Sequence, residues 1–432
     1  MAHSSKRGKN LFEVRESLLT IAMRDPNIEA IYDFLAVLVI FFMVSTIVVY
    51  ASDSETFHND IGYLTDQFSS IDVFFTLEVV NLIAASILAS SMRMKMYLAN
   101  GFIRLTHAVI VLSIFAFILV APAYIMMSAH FSFTMTVALL LQQLRILMKF
   151  ISFLEENENQ LRKSRKFDNA SLPTVKSMIY FLFAPTLIYQ HSYPRSPQHT
   201  QWNLVAHYLL VQVLYIVAAV MLIVRCIIPV WETLEEGVIT VHVMYALFIV
   251  SLVTHVFLLI WIGYVFMHCW HNMWSEILTF GDRHFYGNYW SARNMTEFFS
   301  NWNLIIKNWI VRYLYVPCIR KTGSRRVAAV YVLFVSGVVH DYAYGFILGF
   351  FFPFILLLFT VLQLPVYLFS SGRDSGTSIF ARMRDQLLIT TLMLMAATME
   401  YLARQKCSLP DTPSPSFIRI FSPSCYTFAY GR

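Results

Sequence analysis

His340 and Asp341 stand side by side in the stretch VSGVVHDYAYGF, inside an apolar run long enough to enter a membrane. Ionisable side chains are expensive in hydrocarbon, so each one within a span is a functional hypothesis. An imidazole titrates near neutral pH and suits general-base work. Ser336 lies one helical turn before His340, and Gly337 leaves room beside it. Adjacent helical residues point about 100° apart, so Asp341 does not share the histidine's face and is assigned a structural hydrogen-bonding role. The competing reading of the pair is a helix end wetted by headgroups.

Asn303, in the segment NWN, is the candidate polar partner for His340. It belongs to HCWHNMWSEILTFGDRHFYGNYWSARNMTEFFSNWNLIIKNWIVRYLYVP, a stretch dense in Trp and Tyr with interleaved charges. Trp302, Ile305, Ile306, Trp309 and Ile310 follow helical spacing and predict one amphipathic helix at the interface. Such a helix serves either as a surface lid without chemistry or as a wall of a reaction chamber. Gln142, Gln143 and Arg145 form a second polar group within an apolar run, and the structural reading, helix-to-helix bonding, is favoured there. His268 and His271 have a metal-compatible spacing but no converging carboxylates. HExxH, paired CxxC and GxxxxGK[ST] are all missing, so no metal or nucleotide site is expected.

These residues must be positioned by membrane helices. Hydrophobic residues make up 57% of the 432 and charged residues only 13%, which a soluble core cannot absorb. The prediction is an all-α polytopic membrane protein. Apolar runs fall at 30–51, 70–92, 103–127, 131–149, 203–228, 238–267, 327–342, 344–368 and 386–403, giving nine spans with a short seventh. Lys6, Arg7, Lys9, Arg15 and Arg24 precede the first run, and the following loop has four acids and no Lys or Arg. The positive-inside rule makes the N-terminus cytosolic, and nine spans then place the C-terminus in the lumen. Residues 1–29 form the cytosolic N-terminal segment, 30–403 the membrane domain with the cytosolic loop 268–326, and 404–432 the lumenal tail. Residues 1–27 show no apolar core of a cleaved targeting peptide. The net charge of +6 sits in cytosolic loops facing anionic lipid or ligand and requires no nucleic-acid partner. Cys407 and Cys425 share the tail, where an oxidising lumen allows a disulfide, and the spacing alone leaves paired and unpaired states open.

LRILMKFISFLEEN, FLFAPTLIYQHSYPR, HCWHNMWSEILTFGDRHFYGNYW, NWNLIIKNW, SGVVHDYAYGF and MEYLARQKC occur in this order from about residue 135 onward. Together they resemble the membrane-bound O-acyltransferases, and within them the sterol O-acyltransferases. The resemblance implies a helical fold of about nine spans around an internal chamber. The implied activity moves a long-chain acyl group from acyl-CoA to a sterol hydroxyl in the endoplasmic reticulum membrane. It further implies His340 as catalytic base with Asn303 as partner; Tyr315, Arg325, Ser336 and Trp302 on the acyl-CoA; and Phe285, Tyr286, Asn288, Trp290 and Trp309 as chamber or motif residues. No cofactor beyond the acyl-CoA co-substrate is implied. A paired Cys407 and Cys425 and a homodimer or homotetramer among membrane lipids complete the picture.

The chain departs from the family's FYxDWWN, reading FYGNYWS with Asn288, Tyr289 and Ser291 at the changed positions. Lys307 replaces a common His, and HDY replaces HEY. Two alternatives stay open on these residues: a diacylglycerol O-acyltransferase of the same superfamily, and a polytopic lipid-binding protein with impaired catalysis.

Overall fold

The computed structural model describes residues 12–98, 100–129, 131–163, 172–197, 199–227, 245–246, 248–249, 261–292, 295–348 and 353–360. The predicted span at 386–403, the tail with Cys407 and Cys425, and most of the predicted span at 238–267 lie outside the described residues. Six helices among the described residues are long and apolar enough to cross a membrane. No strand longer than an isolated bridge occurs among those residues, as expected for an all-α chain.

A short helix α1 (Leu18–Ala22) leads into α2 (Pro26–Ser52), which Asp25 caps by accepting from the Asn27 N–H at 2.9 Å. Pro26 at the first helical position costs no hydrogen bond there. Apolar side chains cover α2 on every side, and Ile31, Phe34, Ile40, Phe41 and Ile47 are exposed, which fits a helix surrounded by lipid. After α3 (Ser54–Asp66) come α4 (Ile71–Leu98), α5 (Gly101–Ser128) and α6 (Phe133–Lys163). These three pack on one another and form the centre of the described bundle. Small residues Ala84, Ala85, Ala89 and Ser91 let α4 approach its neighbours closely, the usual device where no water drives association. The run predicted at 131–149 extends without a break to Lys163.

Polar residues of α6 bind it to the surrounding helices. Gln142 donates to Glu78 Oε2 at 2.6 Å and Arg145 to both Glu78 oxygens at 2.8 and 2.7 Å, joining α6 to α4. Gln143 donates to the Ile118 carbonyl of α5 at 2.9 Å. Lys149 ends the carbonyl-rich last turn of α7 (Val175–Phe183), donating to Phe181, Leu182 and Ala184 at 2.6, 2.8 and 2.8 Å. The structural reading of Gln142, Gln143 and Arg145 therefore holds.

Helix α8 (Trp202–Leu222) widens into a π-helical stretch, Ile223–Ile227, and packs on a second one, Trp261–Trp270, which continues as α9 (His271–Ile277). The single amphipathic helix expected over residues 302–310 is a correction. The chain breaks after α10 (Met295–Asn301), and Trp302 lies in the break. Asn303 then caps a new helix α11 (Leu304–Ile310), followed by a π-helical stretch, Val311–Tyr315, and α12 (Val316–Thr322). An Asx cap competes with helix continuation at Asn303, which explains the break. Trp309 is 7% exposed and Ile306 41%, so the apolar residues do not share one buried face.

Gly323 closes α12 at φ 69°, a left-handed position that a side chain would strain. Helix α13 (Arg325–Leu348) follows and then α14 (Phe354–Leu358). This is the second correction: the short span at 327–342 and the break before 344 merge into one 24-residue helix. His340 thus sits two turns inside α13 rather than at its end.

Candidate active site

Three segments far apart in sequence meet beneath α11. Gly281 N–H donates to the Pro194 carbonyl and Ser196 N–H to the Thr279 carbonyl, both at 2.9 Å. A Cβ on Gly281 would lie 3.0 Å from the Pro194 oxygen, so a larger residue would crowd the backbone where the FGD and SYPR motifs cross. Thr279 is held at φ 50°, an uncommon conformation for a β-branched residue, by this pairing and by Arg195, which donates to its hydroxyl at 3.3 Å. Arg195 also stacks over the Tyr180 ring.

The FYG segment carries this order to Asn303. The Phe285 carbonyl accepts from the Leu304 N–H at 2.9 Å, and Gly287 N–H donates to the Asn301 carbonyl at 2.7 Å. Asn303 is 5% exposed, and its Oδ1 accepts from the Ile306 N–H at 3.0 Å. An N-cap of this kind contributes about 1 kcal/mol. The cap also orients the amide, because only the oxygen can accept. The NH2 group is left without a hydrogen bond among the described residues, as a donor available to something else.

His340 is exposed from the described residues on α13. Its Nδ1 lies 2.6 Å from the Ser336 carbonyl and 3.4 Å from the Ser336 hydroxyl. A carbonyl only accepts, so Nδ1 carries a proton, and in the neutral ring Nε2 then holds the free lone pair. The Phe359 ring meets the imidazole edge-on at 5.8 Å. Asp341 points elsewhere and is 2% exposed, accepting from Ile355 N–H at 2.8 Å and Leu356 N–H at 3.0 Å. It therefore caps α14 from the neighbouring helix, in line with its structural assignment, and Phe359, directly after α14, meets His340.

His340 and Asn303 do not bond to each other; the Val311–Tyr315 stretch that follows α11 packs on α13. Ser336 is half-buried below His340, Arg325 is exposed at the first turn of α13, and Tyr315 is half-buried at the start of α12. Trp302 is half-buried and stacks on Phe298 with rings 6.3 Å apart. Trp309 donates its indole N–H to the Met148 carbonyl at 3.0 Å and so docks α11 on α6. Phe285 and Tyr286 are core side chains at 2% and 1% exposure, whereas Asn288 and Trp290 are exposed. Of the changed positions of FYGNYWS, Asn288 and Ser291 are exposed, whereas Tyr289 is partly buried and packs on the core beside Tyr286.

Sequence reasoning missed residues 12–19. Arg15 forks onto Asp282 at 3.0 and 2.6 Å, and backbone bonds of 2.9 Å join Arg15 to Gly281 and Arg283. Ser17, at 1% exposure, contacts His268 Nδ1 and Asn272 Nδ2 at 3.3 Å, and His268 Nδ1 meets the Tyr286 hydroxyl at 2.8 Å. The available signal was Phe12, Val14, Leu18 and Leu19 interleaved with Glu13, Arg15, Glu16 and Ser17. Burial pushes His271 down to about 4, so it stays neutral, and its Nδ1 meets the Phe266 carbonyl at 2.7 Å. Burial also raises the Tyr286 hydroxyl, keeping it protonated. His268 and His271 join no metal-binding cluster among the described residues.

Residues 96–382 match the model of the membrane-bound O-acyltransferase family. Human sterol O-acyltransferase 2 is 27% identical over 431 residues, covering 97% of this chain and 81% of the human protein. Mouse sterol O-acyltransferase 2 is 31% identical over 297 residues, 67% of this chain and 55% of the mouse protein. Rat sterol O-acyltransferase 1 is 28% identical over 445 residues, 98% and 79% of the two chains. A family match over most of the chain, with multiple helices built to cross a membrane, makes this protein a multi-pass acyltransferase, a member of the membrane-bound O-acyltransferase family.

Proposed function

We propose that the protein transfers a long-chain acyl group from acyl-CoA to the hydroxyl of a sterol, with His340 as general base and Asn303 as hydrogen-bond donor. The observation carrying this reading is the His340 tautomer: Nδ1–H is committed to the Ser336 carbonyl and Nε2 is free to take a proton. The sterol acceptor is supported by the relatives named above, which are sterol O-acyltransferases.

In this mechanism Nε2 takes the acceptor's hydroxyl proton as that oxygen attacks the thioester carbonyl. Negative charge develops on the carbonyl oxygen and is met by the Asn303 amide NH2. The intermediate collapses, the C–S bond breaks, and the imidazolium returns its proton to the departing thiolate. Arg325 and Tyr315 would hold the charged end of CoA. Arg325 and His340 are 15 residues apart on one helix, about 22 Å along the axis, so a donor reaching both lies extended along α13. Trp302 flanks the Asn303 donor on this reading.

The N-terminus is cytosolic, the enzyme resides in the endoplasmic reticulum membrane, and the acceptor enters from the bilayer. Residues 30–403 form its membrane domain, and assembly is as a homodimer or homotetramer. Purified protein in detergent, given labelled oleoyl-CoA with cholesterol or diacylglycerol, tests the proposal. Cholesteryl ester formed by the native protein and lost in His340→Ala is the expected result. Diacylglycerol as the preferred acceptor would reassign the substrate, and no ester with either would sink the enzymatic reading.

A further inference from the structure

We infer that residues 12–19 form a strap that positions Asn303, with Arg15 and Ser17 as positioning residues for acyl transfer. The inference rests on the donor role proposed for Asn303. Its physical basis is a short, directional relay. Arg15 grips the 281–283 backbone by two bonds of 2.9 Å and binds the buried Asp282 carboxylate through a bidentate fork. A fork of two parallel bonds fixes angle as well as distance, which a single ammonium cannot do. Two residues further, Ser17 enters the buried cluster of His268, Asn272 and Tyr286, and the Leu19 N–H reaches the Tyr286 hydroxyl at 3.4 Å.

Tyr286 lies between the two residues whose backbone holds the asparagine. Phe285 bonds Leu304 and Gly287 bonds Asn301, on either side of Asn303. A Cβ on Gly287 would meet Asn301 Oδ1 at 2.7 Å, so the two segments lie closely against each other at this crossing. Pro194 and Ser196 support the opposite edge of the same segment. Without the strap, residues 279–287 would keep that edge and lose the other, leaving the segment free to pivot. Displacement of a catalytic donor by about 1 Å can cost on the order of 100-fold in rate.

The full-length protein in detergent is assayed with oleoyl-CoA and cholesterol for native, Arg15→Ala, Ser17→Ala, Arg15→Lys and the exchange Arg15→Asp with Asp282→Arg. Arg15→Ala should lower kcat between about tenfold and 100-fold with KM for oleoyl-CoA within about twofold. Ser17→Ala should do the same more weakly. Arg15→Lys should recover little and the charge exchange most of the rate. The decisive measurement repeats Arg15→Ala in an Asn303→Asp background. A strap acting through Asn303 has no further effect there, whereas a smaller folded fraction multiplies in both backgrounds. Equal loss in both backgrounds, unchanged kcat in Arg15→Ala, or Arg15 variants that fail to run as a single folded species would each overturn the strap's positioning role. Full activity in Asn303→Asp alone would instead overturn the donor role of Asn303, so the two failures are separable.

Discussion

Two groups of polar residues are set into the helices of this protein, and they differ in what their hydrogen-bonding atoms are doing. On α6, all three Lys149 donors are used, and Gln143 bonds on both ends, donating to α5 and accepting from the Tyr342 hydroxyl at 3.0 Å. Arg145 is occupied by Glu78 and the Leu182 carbonyl. At the candidate site, by contrast, His340 spends one ring nitrogen and Asn303 its amide oxygen, and each retains an atom without a partner among the described residues. In these two groups, then, the helix-joining residues have their bonding capacity used, whereas each candidate catalytic residue leaves one specific atom over.

The contrast is broken most directly at His340. Alanine there should lower kcat by about 10²- to 10⁴-fold, the usual contribution of a positioned base, read as labelled ester formed per folded protein. A surviving rate within tenfold of native would remove the distinction. Asn303→Asp comes next, because aspartate retains the cap and lacks only the NH2. It should lower kcat by about 10²- to 10³-fold while leaving the melting temperature nearly unchanged.

Lys149→Met tests the other side. It strips the Phe181 carbonyl of its donor at about 1–3 kcal/mol, while the Leu182 and Ala184 carbonyls keep Arg145 and the Thr186 N–H, so a thermal melt followed by size-exclusion should shift down. The molecules that remain folded should turn over at the native rate.

His271 supplies a pH test outside the spans. Its folded pKa of about 4 is below the ordinary 6.5, so the unfolded chain takes the proton first as pH falls. Its neutral burial costs nothing above pH 6.5 and destabilises progressively between about 6.5 and 4. Melting temperature measured across that window should fall, and more shallowly in His271→Gln. Asp341→Ala is the smallest effect, about 1 kcal/mol from the lost cap on α14, with a modest loss of rate as Phe359 loosens over His340.

The spans through α6, the polar joints of α6, and the different directions of the His340 and Asp341 side chains were legible in the sequence, because hydropathy and helical angle are local properties. The break at Asn303 was not: Trp302, Ile305 and Ile306 keep helical spacing across it, and only the Asx cap ends the continuity. The continuation of α13 past the predicted end at 342 was hidden by His340 and Asp341 themselves, since charge in an apolar run imitates a loop. Residues 12–19 were missed because their partners are some 260 residues away and pair through backbone, which leaves little trace in composition.

Gly337 has a consequence beyond leaving space. A Cβ there would stand 2.9 Å from the Leu356 Cα, so α14 rests on bare backbone at that point of α13. Together with Asp341 one turn later, that contact fixes the azimuth of α13 about its own axis. The direction in which the imidazole faces is thus set by the one neighbouring residue that has no side chain to turn.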